Sequence, residues 1–252
     1  MNPPPPPRIV DYVVKLVAPL IAGRDRVEHL DIGAGWGHLI AALHERAPQV
    51  VSQGCDYNPQ HNETPGLVLR HVDLNLDALP YPDASFDLVT CTEVLEHVEN
   101  FRRVVREIAR VTRPGALVVI STPNVLNLRS RWYFLTRGFF EYFDPLPLRD
   151  DGRFYPGDLH VTPIPFFYLA HALRDQGFTA ITPHQDKPQR FSRLLRPILL
   201  PLIRGVERAS LHRRRRKLRP LSDEIEALAS DNNAAVVLTG RTLIVTARRV
   251  AT

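Results

Sequence analysis

Sulfur is scarce in this chain of 252 residues, which has two cysteines and one methionine. Cys55 and Cys91 lie far apart in sequence, so no disulfide framework is expected, and a cluster needing three or more thiolates from one chain is excluded. That usage points to a reducing compartment, and the cytoplasm is the expected location. Long hydrophobic runs are missing too. No apolar stretch approaches the roughly 18 residues that cross a bilayer. The nearest, 194–206, is interrupted by Arg196, Pro197, Pro201 and Arg204. No signal-peptide pattern opens the chain; Met1-Asn2 runs into Pro3 to Pro7, which cannot be helical and reads as a short polyproline tail. Acidic residues are lacking in one place: between Arg190 and Arg219, Glu207 is the only one. The net charge is +5, most of the excess lies in that stretch, and the rest is close to neutral or acidic. A basic patch suits nucleic acid, an anionic membrane or an acidic substrate.

The remainder is ordinary for a globular protein with a core: 44% hydrophobic and 23% charged. The length suits one α/β domain with an inserted cap. We expect a core over 8–123, a cap insertion over 124–162, and a C-terminal half over 163–252 that carries the basic segment 190–219. Ile9 to Ile21 has a helical apolar period that Gly23 ends. Strands are expected at Val27 to Ile32, Val50 to Asp56, Gly66 to Asp73, Phe86 to Thr92 and Ala116 to Ser121, with helices at Trp36 to Arg46 and Phe101 to Val111. Arg113-Pro114-Gly115 reads as a turn. Such alternation indicates a doubly wound, mostly parallel sheet, and runs such as Leu117-Val118-Val119-Ile120 fit strands covered on both faces. Past the insertion, Pro163 to Gly177 reads as a helix, Phe178 to Thr182 as a strand, Ser222 to Ala229 as a helix capped by Ser222, and Thr242 to Ala247 as the last strand. The segment 190–219 reads as broken by its prolines.

Chemistry-bearing residues gather at the ends of the expected strands. The first strand runs into Gly33-Ala34-Gly35-Trp36-Gly37. Glycines permit a tight turn and close approach of a ligand, and the helix that follows offers free amides. The spacing is G-x-G-x-G, not the G-x-G-x-x-G of a dinucleotide site, and Asp31 precedes it. A carboxylate there suits a positively charged ligand group better than a pyrophosphate. Asp56 ends the second strand and can accept two ribose hydroxyls, although it also reads as a turn aspartate before Asn58-Pro59. Asp73-Leu74 suits an adenine amino group and ring face, or is a solvated loop acid. After the fourth strand comes Thr92-Glu93-Val94-Leu95-Glu96-His97-Val98, whose two acids also read as helix N-terminal residues.

Together the tracts LDIGAGWG, GCDYNP, HVDLN, FDLVTCTEVLEHV and RVTRPGALVVISTPN resemble the class I S-adenosylmethionine-dependent methyltransferases. They are most similar to the bacterial small-molecule group that includes ubiquinone-biosynthesis O-methyltransferases and sugar methyltransferases. The resemblance covers about 27–124 and is weaker at His160-Val161-Thr162-Pro163 and Gly177-Phe178; RTLIVTARR looks like the family's last strand. It implies a seven-stranded Rossmann-like sheet with an antiparallel last strand. It further implies S-adenosylmethionine held by Asp31, Gly33, Ala34, Gly35, Gly37, Asp56, Tyr57, Asp73, Leu74 and Glu93, with Glu93 near the methionine end. The tract from Thr122 to Phe140 looks like methyltransferases found with surface-polysaccharide and lipid-linked glycan enzymes.

Methyl transfer from a sulfonium is mainly a matter of alignment, and a hydroxyl acceptor also needs a base. His97 and His160 are the candidate bases; His97 reads equally as a helix histidine packed on the sheet. No His/Asp/Glu pair has the spacing of a strong metal site, so no metal is expected. The expected acceptor is a small molecule, a lipid-linked molecule or a glycan, in a pocket lined by Trp132, Tyr133, Phe139, Phe140, Tyr142, Phe143 and Tyr155. In 190–219 the arginines alternate with Leu194, Leu195, Ile198, Leu199, Leu200, Leu202 and Ile203, which suits a peripheral contact with an anionic membrane at its inner face and equally a solvated helical cap with a basic tail. Aromatics for base stacking are sparse there, so nucleic acid is not an expected partner. The rival readings are an RNA or protein methyltransferase, a non-catalytic cofactor-binding subunit, and an NAD-dependent oxidoreductase, the last disfavoured by the glycine spacing.

Overall fold

A computed structural model describes residues 7–62, 64–146, 159–217 and 223–251. The sheet forms as the apolar runs dictate. Seven strands lie in the order β3-β2-β1-β4-β5-β7-β6. They are β1 (Val27–Ile32), β2 (Val50–Asp56), β3 (Leu69–His71), β4 (Phe86–Thr92), β5 (Thr112–Pro123), β6 (Phe178–Gln185) and β7 (Thr242–Arg249). The first five pair in parallel, and β7 runs antiparallel to both β5 and β6. Successive side chains of one strand enter opposite cores, as the two-residue period requires. Val118 and Ile120 join the core beneath the helices α3 (Phe101–Val111) and α5 (Phe166–Asp175), whereas Leu117 and Val119 join the core beneath α1 (Arg8–Ile21) and α2 (His38–Arg46).

Several expected elements need correction. The third strand is only three residues long. The residues Arg113-Pro114-Gly115, read as a turn, belong to β5: Phe86 pairs with Thr112 and Leu88 with Leu117, so three extra residues bulge there, with Gly115 at φ +78°. The cap, which had no sequence period, contains helix α4 (Leu128–Arg137), capped by the Asn127 side chain on the Ser130 amide at 2.8 Å. The basic segment is not broken. It forms one helix, α6 (Arg190–Lys217), with Pro197 and Pro201 inside. Their spacing of four puts both missing amide donors on one exposed side, where water can satisfy the carbonyls they abandon. Helices α7 (Asp223–Asp231) and α8 (Ala235–Thr239) complete the chain. The proposed Ser222 cap and Pro3 to Pro6 lie outside the described residues.

Strand order reverses between β1 and β4, each of which continues outward to its own neighbours. The crevice beyond their C-terminal ends is where ligands bind in such sheets. Ile32 pairs with Cys91, so the glycine turn and the Glu93 turn leave the sheet side by side.

Candidate functional site

The glycine turn is held by its backbone. Gly33 and Ala34 amides both donate to the Cys55 carbonyl, at 2.9 and 3.1 Å. Gly33 has φ +72°, and a Cβ there would strike the Val94 side chain from the neighbouring turn. Gly37, at φ +79°, precedes α2, whose N-terminus no side chain caps. A cavity of about 680 Å³ opens over this edge. Of the expected cofactor residues, Gly33, Asp56, Tyr57, Asp73, Leu74 and Glu93 line it.

The other four stand behind the lining. Asp56 accepts the Gly35 amide through Oδ2 at 2.8 Å and the Asn58 amide through Oδ1 at 2.7 Å, tying the second strand to the glycine turn. Gly35 therefore supports Asp56, Gly37 shapes the helix start, and Ala34 packs with Ile40 and Leu69. Asp31 is buried and turned into the sheet, where the Thr90 hydroxyl donates to its Oδ1 at 2.6 Å. Burial pushes its carboxyl up to about 7.

Asp31 ends a row of side chains that nothing in the local sequence announced. His29 Nε2 lies 2.8 Å from the Thr90 hydroxyl oxygen, and His29 Nδ1 lies 2.9 Å from Ser52 Oγ. Ser52 in turn lies 3.0 Å from Nε2 of exposed His44. With Asp31 ionised, Thr90 spends its one hydrogen on the carboxylate, so His29 donates from Nε2 and accepts from Ser52 at Nδ1. The row runs from the surface to the underside of the glycine turn. His29 is fully buried, and burial holds its imidazole down at about 3.

Glu93 occupies the turn after β4 with φ +54°, a conformation rare for a side chain of its size. Neither acid of this turn starts a regular helix; Leu95–His97 is a single 3-10 turn. The Glu93 carboxylate accepts from Ser121 Oγ at 2.8 Å, and burial raises it to about 7. It lines a second cavity as well, about 440 Å³, together with Tyr142 and His160. Three cations, Arg8, Lys187 and Arg241, and one further acid, Asp186, complete the charged lining of that cavity.

His97 and His160, 63 residues apart in sequence, meet edge to face with ring centroids 4.9 Å apart. The Glu96 carbonyl brings them together by accepting the Val161 and Thr162 amides at 2.8 and 3.0 Å. Burial, and then the neighbouring His97, lower the His160 imidazole below its ordinary value. Glu96 itself is fully buried, and burial followed by the nearby Glu93 raises it to about 9. Glu96, His97 and His160 could hold a metal ion, a grouping that sequence spacing could not reveal because the turn and the end of the cap supply it jointly.

The aromatic residues assigned to the acceptor pocket divide. Tyr142 lines the second cavity, and buried Phe143 packs 5.3 Å from the His160 ring. Trp132 is turned outward on α4, 52% exposed, and Phe140 stacks on Phe134 instead. Tyr133 faces Arg137, whose guanidinium lies 4.2 Å from its ring, and Phe139 does not reach either cavity. Tyr155 lies outside the described residues.

Part of the chain is similar to known methyltransferases. A family described as a methyltransferase domain matches residues 30–120. A demethylmenaquinone methyltransferase of Deinococcus radiodurans is 36% identical over 98 residues, covering 36% of this chain and 41% of its own. A ubiquinone biosynthesis O-methyltransferase of Idiomarina loihiensis is 36% identical over 103 residues, covering 38% and 42%. The matched stretch thus spans less than half the length of these relatives. Among solved structures, an S-adenosylmethionine-dependent methyltransferase of Archaeoglobus fulgidus superposes with TM-score 0.56 at 16% identity, over 96% of this chain and 95% of its own. That likeness shows the fold.

Proposed function

We propose that this chain, whose residues 30–120 match a methyltransferase domain, is an S-adenosylmethionine-dependent methyltransferase that methylates a hydroxyl of a small-molecule, lipid-linked or glycan acceptor. The observation that carries the reading is Glu93, which lines both cavities, with the histidine pair beside it. The larger cavity takes the cofactor. Its adenosine end lies against Asp56, Asp73 and Leu74, and its methionine end against Gly33 and Glu93. The smaller cavity takes the acceptor. The acceptor oxygen attacks the methyl carbon, sulfur leaves with its bonding electron pair, and the hydroxyl proton passes to the histidine pair. Alignment of oxygen, methyl and sulfur supplies much of the rate. Proton removal adds roughly 10²–10⁴-fold. The cationic lining by Arg8, Lys187 and Arg241 favours an acceptor bearing an anionic group, which fits a lipid-linked phosphate better than a neutral quinone.

The test is turnover of radiolabelled S-adenosylmethionine with candidate acceptors at saturation. His97→Ala and His160→Ala should each lose kcat while cofactor affinity, read by calorimetry, stays close to the parent value. Full kcat in both variants would sink the role of the pair.

A second reading concerns α6. Leu194, Ile198, Leu202 and Val206 are 71, 68, 65 and 62% exposed, and their spacing of four makes one apolar stripe. Arg193, Arg204 and Arg208 are exposed on the same helix. This supports an anionic membrane surface as the partner, with α6 lying along it and the acceptor delivered from the lipid.

A further inference from the structure

Where the two cavities meet, Glu96, His97 and His160 each place one potential ligand atom so that all three lie within 4.8 Å of one another. Glu96 is fully buried, and among the described residues neither of its carboxyl oxygens has a partner at hydrogen-bonding geometry, the nearest hydroxyl being that of Thr122. A buried carboxyl so poorly partnered is costly to the fold. The histidines are held in a defined orientation. His97 Nδ1 lies 3.1 Å from the Leu159 carbonyl and His160 Nδ1 lies 2.9 Å from the Tyr142 carbonyl. A carbonyl only accepts, so in each neutral ring Nδ1 carries the proton and Nε2 the lone pair. Backbone carbonyls on the far nitrogen are the outer support that metal-binding histidines commonly have. The two amides clamped on the Glu96 carbonyl keep the end of the cap in register with the Glu96-His97 turn. The grouping is therefore set by backbone contacts on both sides.

We propose that Glu96, His97 and His160 form a site for one divalent first-row transition cation at the junction of the cofactor and acceptor cavities. Two imidazoles and one carboxylate suit zinc, iron, cobalt or manganese; calcium and magnesium prefer oxygen donors throughout. Three protein ligands leave coordination positions open for an acceptor oxygen. With the cation bound both imidazole lone pairs are engaged, so the histidines no longer take the proton: the cation would lower the pKa of the acceptor hydroxyl, and its proton would leave to solvent instead. The site stands without the proposed methylation; only this last role rests on it.

The experiment uses the untagged chain, stripped with a chelator and dialysed. It is titrated calorimetrically with Zn²⁺, and with Co²⁺ for its visible spectrum, and S-adenosylmethionine binding is measured separately. The expected result is one Zn²⁺ per chain, with affinity lost by roughly tenfold or more in Glu96→Gln and His160→Ala and cofactor affinity unchanged. No stoichiometric uptake by the parent chain, or equal uptake by both variants, overturns the site. If Glu96→Gln fails to fold, His160→Ala, at a half-exposed ring, decides. Cation binding without methyl transfer to any acceptor upholds the site and sinks the proposed function instead. Undiminished methyl transfer by the stripped chain overturns the cation's part in the reaction.

Discussion

Replacing Gly33 by alanine separates two costs that the glycine turn imposes. Gly33 and Gly35 both have positive φ, +72° and +52°. An alanine at either position pays about 1–2 kcal/mol for the left-handed conformation. Only at Gly33 does the new methyl also collide, striking Val94 on the turn after β4; nothing lies within 4 Å of the position at Gly35. Overpacking of that kind costs roughly 1–3 kcal/mol. Gly33→Ala should therefore destabilise by about 2–5 kcal/mol and Gly35→Ala by about 1–2 kcal/mol. In a Val94→Ala background the clash with the γ-methyl is gone and only the Cβ, 3.3 Å away, remains, so Gly33→Ala should fall close to the cost seen at Gly35. The assay is urea unfolding of all five chains, with calorimetry for S-adenosylmethionine. The coupling between positions 33 and 94 should be about 1–3 kcal/mol, above the few tenths expected of unrelated sites. Equal costs at Gly33 and Gly35, or a Gly33 cost unmoved by Val94→Ala, would refute the packing of the two turns.

Asp31 makes stability depend on pH in an unusual direction. Its carboxyl titrates near 7 in the fold against 3.8 in the free chain, so between those values the folded state holds a proton that the unfolded state releases. Stability falls as pH rises through that window, by up to about 4 kcal/mol. Asp31→Asn should raise the melting temperature at pH 8 and hardly at all at pH 4; an equal shift at both would count against the buried carboxyl. His29 acts oppositely, because its folded value near 3 lies below the ordinary 6.5, so it costs stability as pH falls below 6.5 and should govern the acid limb of Asp31→Asn. Thr90→Val removes the hydroxyl shared by both groups and should cost roughly 1–3 kcal/mol for each partner left unmatched, seen as a lower urea midpoint; a neutral change would deny the row. Flotation with anionic vesicles should carry the parent chain upward and leave behind a variant with Leu194, Ile198 and Leu202 changed to serine. Vesicle binding that survives in that variant would remove α6 as the contact.

Sequence was informative wherever a function depends on neighbours in the chain. The glycine turn, Asp56, Asp73 and Glu93 each follow their own strand, and the strand order of a doubly wound sheet gathers them at one edge. It was silent wherever a partner comes from afar. Asp31 looked like a ligand residue, but its orientation is set by Thr90, 59 residues away. His97 and His160 were each conspicuous, yet their meeting depends on amides at 161 and 162 reaching the Glu96 carbonyl. The prolines of α6 and the Arg113-Pro114-Gly115 bulge misled for one reason. Local rules price a proline or glycine by the backbone it disfavours, whereas an exposed helix side or a strand end can absorb the defect.

The two ends of the cap are pinned independently of what lies between. At one end the Asn124 side chain donates to the Val237 and Gly240 carbonyls at 2.7 and 2.9 Å; at the other the Glu96 carbonyl holds residues 161 and 162. A loop with fixed ends pays little for length, about 0.6 kcal/mol for each doubling. Changes of length between these pins are therefore cheap, provided they spare Tyr142, Phe143 and Leu159, which lie between the pins and hold the two histidines in place.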